Sequence, residues 1–195
     1  MSNTEFEQVK NTIINRRSVS WKRMNRQIIP NETVSQLLEL ADWAPTHGRT
    51  EPWRFFVYTG KSLTQFGQAH ADLYWQNTTE DKRQEATYEK LKHNVDRASH
   101  LAIAVMKRGD NIKIPQIEEV AAVSAAIQNI LLGATALGIA SFWSTGGMTH
   151  TAALKEFLGL GADDIVMGLI FLGYTDEPAK DGHRNTPISE KVKWL

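Results

Sequence analysis

No Asp, Glu, Lys or Arg falls between Glu119 and Lys155. Apolar surface on that scale must leave water, either into a protein core or into lipid. Ser124, Gln128, Asn129 and Thr135 interrupt it, and its commonest apolar residue is Ala. These features favour a protein core, and no membrane association is expected. The stretch reads as a helix from about Ile117 to Leu137, apolar nearly all round as a core helix is. Gly138 ends it, and Ile139 to Trp143 forms a buried strand. The remaining elements must wrap this centre.

Phe6, Val9 and Ile13, with Ile14 beside them, give an amphipathic first helix that ends near Arg16-Arg17-Ser18. Pro30-Asn31 opens a second helix, with Asn31 as N-cap, and Pro45 stops it. The aromatic run from Trp53 to Tyr58 is a strand. Lys61 to about Asn94 is helical, with a break near Asn77-Thr78-Thr79. Leu101 to Met106 and Ile165 to Leu172 are short apolar runs, read as buried strands. Thr149 can cap a short helix containing Leu154, Phe157 and Leu158. Helices interleaved with strands imply an α+β or α/β layer fold, and with no repeat or linker residues 1–195 are read as a single domain. Val192, Trp194 and Leu195 are too apolar for a free terminus and should dock on this subunit or on a partner.

Charge and cysteine usage narrow the chemistry. Lys+Arg and Asp+Glu each number 22 in 195 residues, so no net field draws nucleic acid or an anionic membrane, and self-association is unopposed. With no cysteine, disulfides, thiolate metal sites and thiol nucleophiles are excluded. Redox chemistry would need a bound cofactor. The first residues lack a secretory pattern, so the cytoplasm is the expected compartment.

Three clusters can carry a ligand. Arg16-Arg17-Ser18 offers two guanidinium groups and a hydroxyl for a phosphate, or simply complements a helix C-terminus. Thr46 to Glu51, between Pro45 and Pro52, is a braced loop that can present polar groups to a planar ligand, or is a rigid connector. Trp143-Ser144-Thr145-Gly146-Gly147 ends a buried strand in small residues that allow close backbone approach, or makes a plain turn. Other patterns fail. Phe142 stands where a nucleophile elbow around Ser144 needs Gly, and Asp164 breaks the dinucleotide pattern begun by Gly159 and Gly161. No pair of the six His has metalloprotease spacing, and no metal is expected.

The order and spacing of these segments resemble the nitroreductase family. They are Arg16-Arg17-Ser18 after an amphipathic helix, Ala44-Pro45 with Pro52-Trp53, and Gly138 to Ser144 after the central helix. Leu169 to Tyr174 and the Arg184 to Trp194 tail complete them. The chain is most similar to small single-domain members with His in the second place after the first Pro, here His47. The resemblance implies an α+β fold, a three-layer α/β/α sandwich with a mixed, mainly antiparallel sheet, in an intertwined homodimer. It implies FMN at the dimer interface, NADH or NADPH as donor, and a small-molecule electron acceptor such as a nitroaromatic or quinone. The FMN-binding residues would be Arg16, Arg17, Ser18, Trp43, His47, Trp143, Ser144, Thr145 and Arg184. Arg16 and His47 would come from one subunit, with Trp143 to Thr145 from the other. Flavin N5 would carry the chemistry, with no catalytic side chain demanded. Arg49 and Glu51 depart from the commoner polar residues at those places, and Ser20 stands where some members have Lys. Reductive dehalogenation, or flavin binding without turnover, remain alternatives.

Overall fold

The computed structural model describes residues 4–195. The strands are β1 (Trp53–Thr59), β2 (His100–Met106), β3 (Ala140–Ser144) and β4 (Ile165–Gly173). The helices are α1 (Thr4–Asn15), α2 (Asn31–Asp42), α3 (Gly60–Gln76), α4 (Glu85–His93), α5 (Gln116–Ala136) and α6 (Ala152–Phe157). The strands form one sheet in the order β1-β2-β4-β3, and each neighbouring pair is antiparallel.

Alternation along the strands builds two cores, one on each face. Ala102, Ala104, Met106, Ile170 and Leu172 face α2 and α5. Leu101, Ile103, Val105, Leu169 and Phe171 belong to the opposite core, with residues of α3 and α6. This is the expected α/β/α sandwich. It also explains why β2 and β4 are nearly continuous apolar runs, since both faces of each are covered. Helix α5 is long and apolar enough to span a membrane. Here it lies against the sheet and α2, with Val123, Ile127 and Ile130 fully buried. Gly133 permits the close approach to α2, because a Cβ there would fall 2.6 Å from Leu40 Cδ1.

Three details differ from the sequence reading. The four strands are antiparallel throughout, and the parallel component is a single isolated bridge outside them, Ser18 to Ser141. The N-terminal segment turns away at once into a 3-10 turn over Trp21–Arg23, so no parallel strand develops. Pro30, not Asn31, takes the cap position of α2. The Asn31 side chain instead accepts a hydrogen bond from His100 Nε2 at 2.9 Å, satisfying a buried ring. Thr151, not Thr149, caps α6 through the Leu154 N–H. Thr149 is buried and donates to the Gly146 carbonyl at 2.6 Å, closing the turn after β3.

The apolar end of the tail does not dock on its own chain. Trp194 is 93% exposed, and Val192 and Leu195 are exposed as well. Helix α1 also buries none of its residues, and leaves Val9, Ile13 and Ile14 in solvent. Val9 and Ile13 border a groove of about 440 Å³ between α1, α2 and α5, lined also by Leu40, Trp43 and Gly133 among others.

Candidate functional site

The edge strand β3 organises the site. Val19 N–H donates to the Ser141 carbonyl at 2.9 Å, fastening the segment after α1 alongside the strand. Downstream, Ser20, Trp21 and Lys22 line a cavity of about 380 Å³. Its other walls are Thr87, Lys90, Leu91 and Asn94 at α4, Phe142 and Ser144 of β3, the Gly146-Gly147 turn, and Leu169 of β4. Lys22 and Lys90 are the charged residues in this lining, so the cavity is cationic. The Lys22 Nζ lies 5.4 Å from the Trp21 ring centroid, a weak cation–π contact that leaves its charge available.

Asn94 was not singled out from sequence. It is buried, and its Oδ1 has no hydrogen-bond partner. A buried carbonyl without a donor costs about 1–3 kcal/mol. Asn94 also lines the cavity, so a turn of its side chain toward a ligand N–H there would recover that cost. The imide N–H of an isoalloxazine is such a donor, with carbonyls on either side that suit cations. The only sequence hint was a polar residue at the end of an otherwise solvated helix, which burial patterns cannot separate from a surface Asn.

Alternation on β3 splits the predicted strand residues. Ser144 lines the cavity and Thr145 is exposed beside it. Trp143 points to the other face, where its Nε1 donates to the Met167 carbonyl at 2.9 Å. Gly168 makes room for it, since a Cβ there would lie 2.1 Å from that nitrogen. Met167 is the extra residue of a bulge opposite Ala104 and Val105.

The two arginines also divide. Arg17 spends its guanidinium on the carbonyls of Lys180, Ile14 and Arg16, at 2.7, 2.6 and 3.0 Å. Gly182 packs so close that a Cβ would fall 2.6 Å from Arg17 Cζ. Arg17 thus clamps the tail. Arg16 is half-buried, and its guanidinium has no hydrogen bond or ion pair among the described residues, leaving its charge free for an anion. Arg184 is exposed on the tail just beyond that clamp and donates to the His183 carbonyl.

The braced loop lies elsewhere. His47 pairs through Nδ1 with Glu118, in the first turn of α5. Thr46 ties the loop together, bonding the Thr50 hydroxyl at 2.8 Å and accepting from Glu51 N–H. Gly48, Arg49 and Glu51 all adopt positive φ, at 60°, 56° and 44°. Two non-glycine residues held this way store roughly 1–3 kcal/mol each, a strain that concentrates at functional sites. The loop feeds β1, which lies across the sheet from β3. Three strand spacings, about 14 Å, separate those edges. Within one chain, therefore, Ser18 is joined to β3 while His47 is remote from both, unlike the expected grouping of Arg16 with His47. Trp43 is 85% exposed and lines the apolar groove, far in character from the cationic cavity.

Comparison with known proteins places this geometry. Residues 13–174 match the model of the nitroreductase family. A curated relative from Bacillus subtilis (strain 168), named "Putative NAD(P)H nitroreductase YfhC", is 27% identical over 94% of this chain and 92% of its own length. The crystal structure of a nitroreductase-like family protein from Bacillus cereus superposes with a TM-score of 0.82, at 27% identity, covering 96% of this chain and 95% of that one. The FMN-dependent nitroreductase NfnB from Mycobacterium smegmatis, crystallised with NADPH, shares the fold at a TM-score of 0.74 and 19% identity, covering 98% and 99%.

Proposed function

The chain belongs to the nitroreductase family, and from that premise we propose that it is an FMN-dependent oxidoreductase using NADH or NADPH to reduce an oxidised organic acceptor of nitroaromatic or quinone type. One observation carries the reading: the cavity at the end of β3 is lined by two lysines and no carboxylate, together with Asn94, whose buried Oδ1 is unpaired. That donor and acceptor set fits the pyrimidine edge of a flavin.

Bound FMN would supply a two-electron carrier that takes hydride at N5 and passes electrons to the acceptor. The chain's own residues do the rest. Arg16 holds the phosphate, with Ser18 beside it and Arg184 reaching in from the tail. Asn94 accepts the imide N–H. Lys22 and Lys90 place positive charge where electron density collects on reduction, which favours the reduced form. Gly146 and Gly147 let backbone approach the ring plane without a side chain between. No side chain is required to move a proton.

The active form is proposed to be a homodimer. The apolar groove holding Trp43, the uncovered face of α1 and the exposed tail supply surface for a second copy. Because Ser18 and Ser144 share one chain while His47 lies at the opposite sheet edge, the Thr46–Glu51 loop would reach each flavin from the partner. Trp43 then serves chiefly to cover that interface.

Initial-rate kinetics test the activity. With FMN-loaded protein, varying NADPH or NADH against a quinone or nitroarene should give parallel double-reciprocal lines, the pattern of a ping-pong reaction. Retained flavin with no oxidation of either nicotinamide by any acceptor would make this a flavin-binding protein without turnover.

A further inference from the structure

His70 is a titratable group to which the proposed reaction gives no task. It sits on α3, fully buried, and its Nε2 accepts the Met148 backbone N–H at 3.0 Å. A backbone N–H can only donate, so Nε2 carries the lone pair and the ring is neutral with its proton on Nδ1. Nδ1 itself has no partner. Phe66 packs on the ring at a centroid distance of 5.4 Å.

This bond secures one wall of the cavity. Ser144 Oγ accepts from Gly146 N–H, and Thr149 returns to the Gly146 carbonyl, so the turn closes on itself. Among the described residues, the His70–Met148 bond is the one hydrogen bond tying residues 145–148 to α3 or α4. Gly147, at φ 67°, lies so close that a Cβ would fall 2.7 Å from both Cε1 and Nε2 of the imidazole. The turn is thus seated on the ring.

We propose that His70 is a positioning residue for the cavity: by accepting the Met148 N–H it sets the Gly146-Gly147 wall, and through that wall the affinity for the flavin. The assignment rests on the cofactor reading above. Protonation would place an N–H on Nε2 facing the Met148 N–H, turning acceptor into repulsion and unseating the turn. Flavin retention is therefore acid-sensitive through one group. Burial alone pushes the His70 pKa down, to about 4, which keeps the clamp engaged at neutral pH. Phe66, Leu91 and Gly147, which border the ring or the turn against it, are uncharged. On the packed elements, Asp72 of α3 is engaged by Gln68 and Tyr88, while Lys90 and Lys92 of α4 and His150 before α6 reach solvent.

Two variants and two readouts test this. In the ligand-free protein, Met148 amide hydrogen exchange should speed up about tenfold or more in His70→Leu and stay near wild type in His70→Gln, whose amide oxygen can accept the same bond. FMN affinity at pH 7 should fall about tenfold in His70→Leu and be largely restored in His70→Gln. Below about pH 5 the wild-type affinity should drop with a one-proton slope, and His70→Gln should lack that step. Wild-type FMN affinity in a folded His70→Leu, or an unchanged acid step in His70→Gln, would overturn the proposal. If His70→Leu does not fold, the His70→Gln pH profile decides. Failure of the wild type to bind FMN at any pH would instead sink the cofactor reading, and the Met148 exchange contrast would still judge the clamp.

Discussion

Ser18 lies beside Ser141 in a parallel bridge, and the neighbouring Val19 N–H donates to the Ser141 carbonyl at 2.9 Å. The bridge fixes the segment that follows α1 to the strand whose end lines the cationic cavity. The Arg16 guanidinium, with no hydrogen bond or ion pair among the described residues, is then the group proposed to hold the FMN phosphate at that edge. Arg16→Ala should weaken FMN binding by about 2 kcal/mol, the low end for a charge pair because the side chain is half-exposed. Arg17→Ala should change FMN affinity less and speed proteolysis of residues 175–195, since its guanidinium holds the Lys180 carbonyl. Calorimetric titration and limited proteolysis check the pair. Equal FMN affinity in Arg16→Ala and the parent would remove the phosphate assignment.

Asn94 predicts a trade between stability and binding. Asn94→Ala removes a buried acceptor that the protein leaves unsatisfied, so the ligand-free variant should be as stable as the parent or gain up to about 1 kcal/mol. FMN affinity should fall by about 1 kcal/mol or more for loss of the imide bond. Thermal unfolding with and without FMN reads both. A variant that loses stability and keeps affinity would assign Asn94 to packing.

The dimer reading makes a complementation prediction. Mixed dimers of Arg16→Ala and His47→Ala chains contain one doubly altered site and one intact site if each site draws on both chains. Such dimers should recover about half the FMN capacity lost in the homodimers, measured by flavin absorbance. Trp43→Glu, placing a charge in the apolar groove, should shift sedimentation from dimer to monomer.

Acid should destabilise the ligand-free fold. His70 is lowered from 6.5 to about 4 and His100 is lowered too, both by burial. Between the folded and unfolded values the unfolded chain binds more protons, so stability is fully present above about pH 6.5 and declines as pH falls toward 4. His70 alone contributes a loss of about 3 kcal/mol across that window. Urea unfolding midpoints at pH 7 and pH 5 measure it, and His70→Gln should flatten the slope.

Much of the architecture was legible in the sequence because it follows from apolar patterning. The uncharged stretch after Glu119 is the α5 core helix followed by β3, and the two-faced burial of β2 and β4 explains their unbroken apolar runs. Capping was less legible. Asn31 and Thr149 have good capping chemistry, but His100 and Gly146 offered them buried partners that no local pattern reveals. The site was visible in segments and obscure in its grouping. Trp143 and Ser144 are neighbours in sequence, yet strand alternation sends them to opposite faces. Arg16 and Arg17 look alike, yet only the tail's return at Lys180 tells them apart. The unpaired Asn94 Oδ1 and the His70–Met148 bond arise from burial created by tertiary packing, which a single sequence does not display.

The most direct test of the central claim is a visible spectrum of the protein equilibrated with FMN and freed of excess, followed by anaerobic NADPH or NADH. The account predicts a flavin band near one FMN per chain that bleaches on reduction and returns when a quinone or nitroarene is added. A protein that retains no flavin would contradict it.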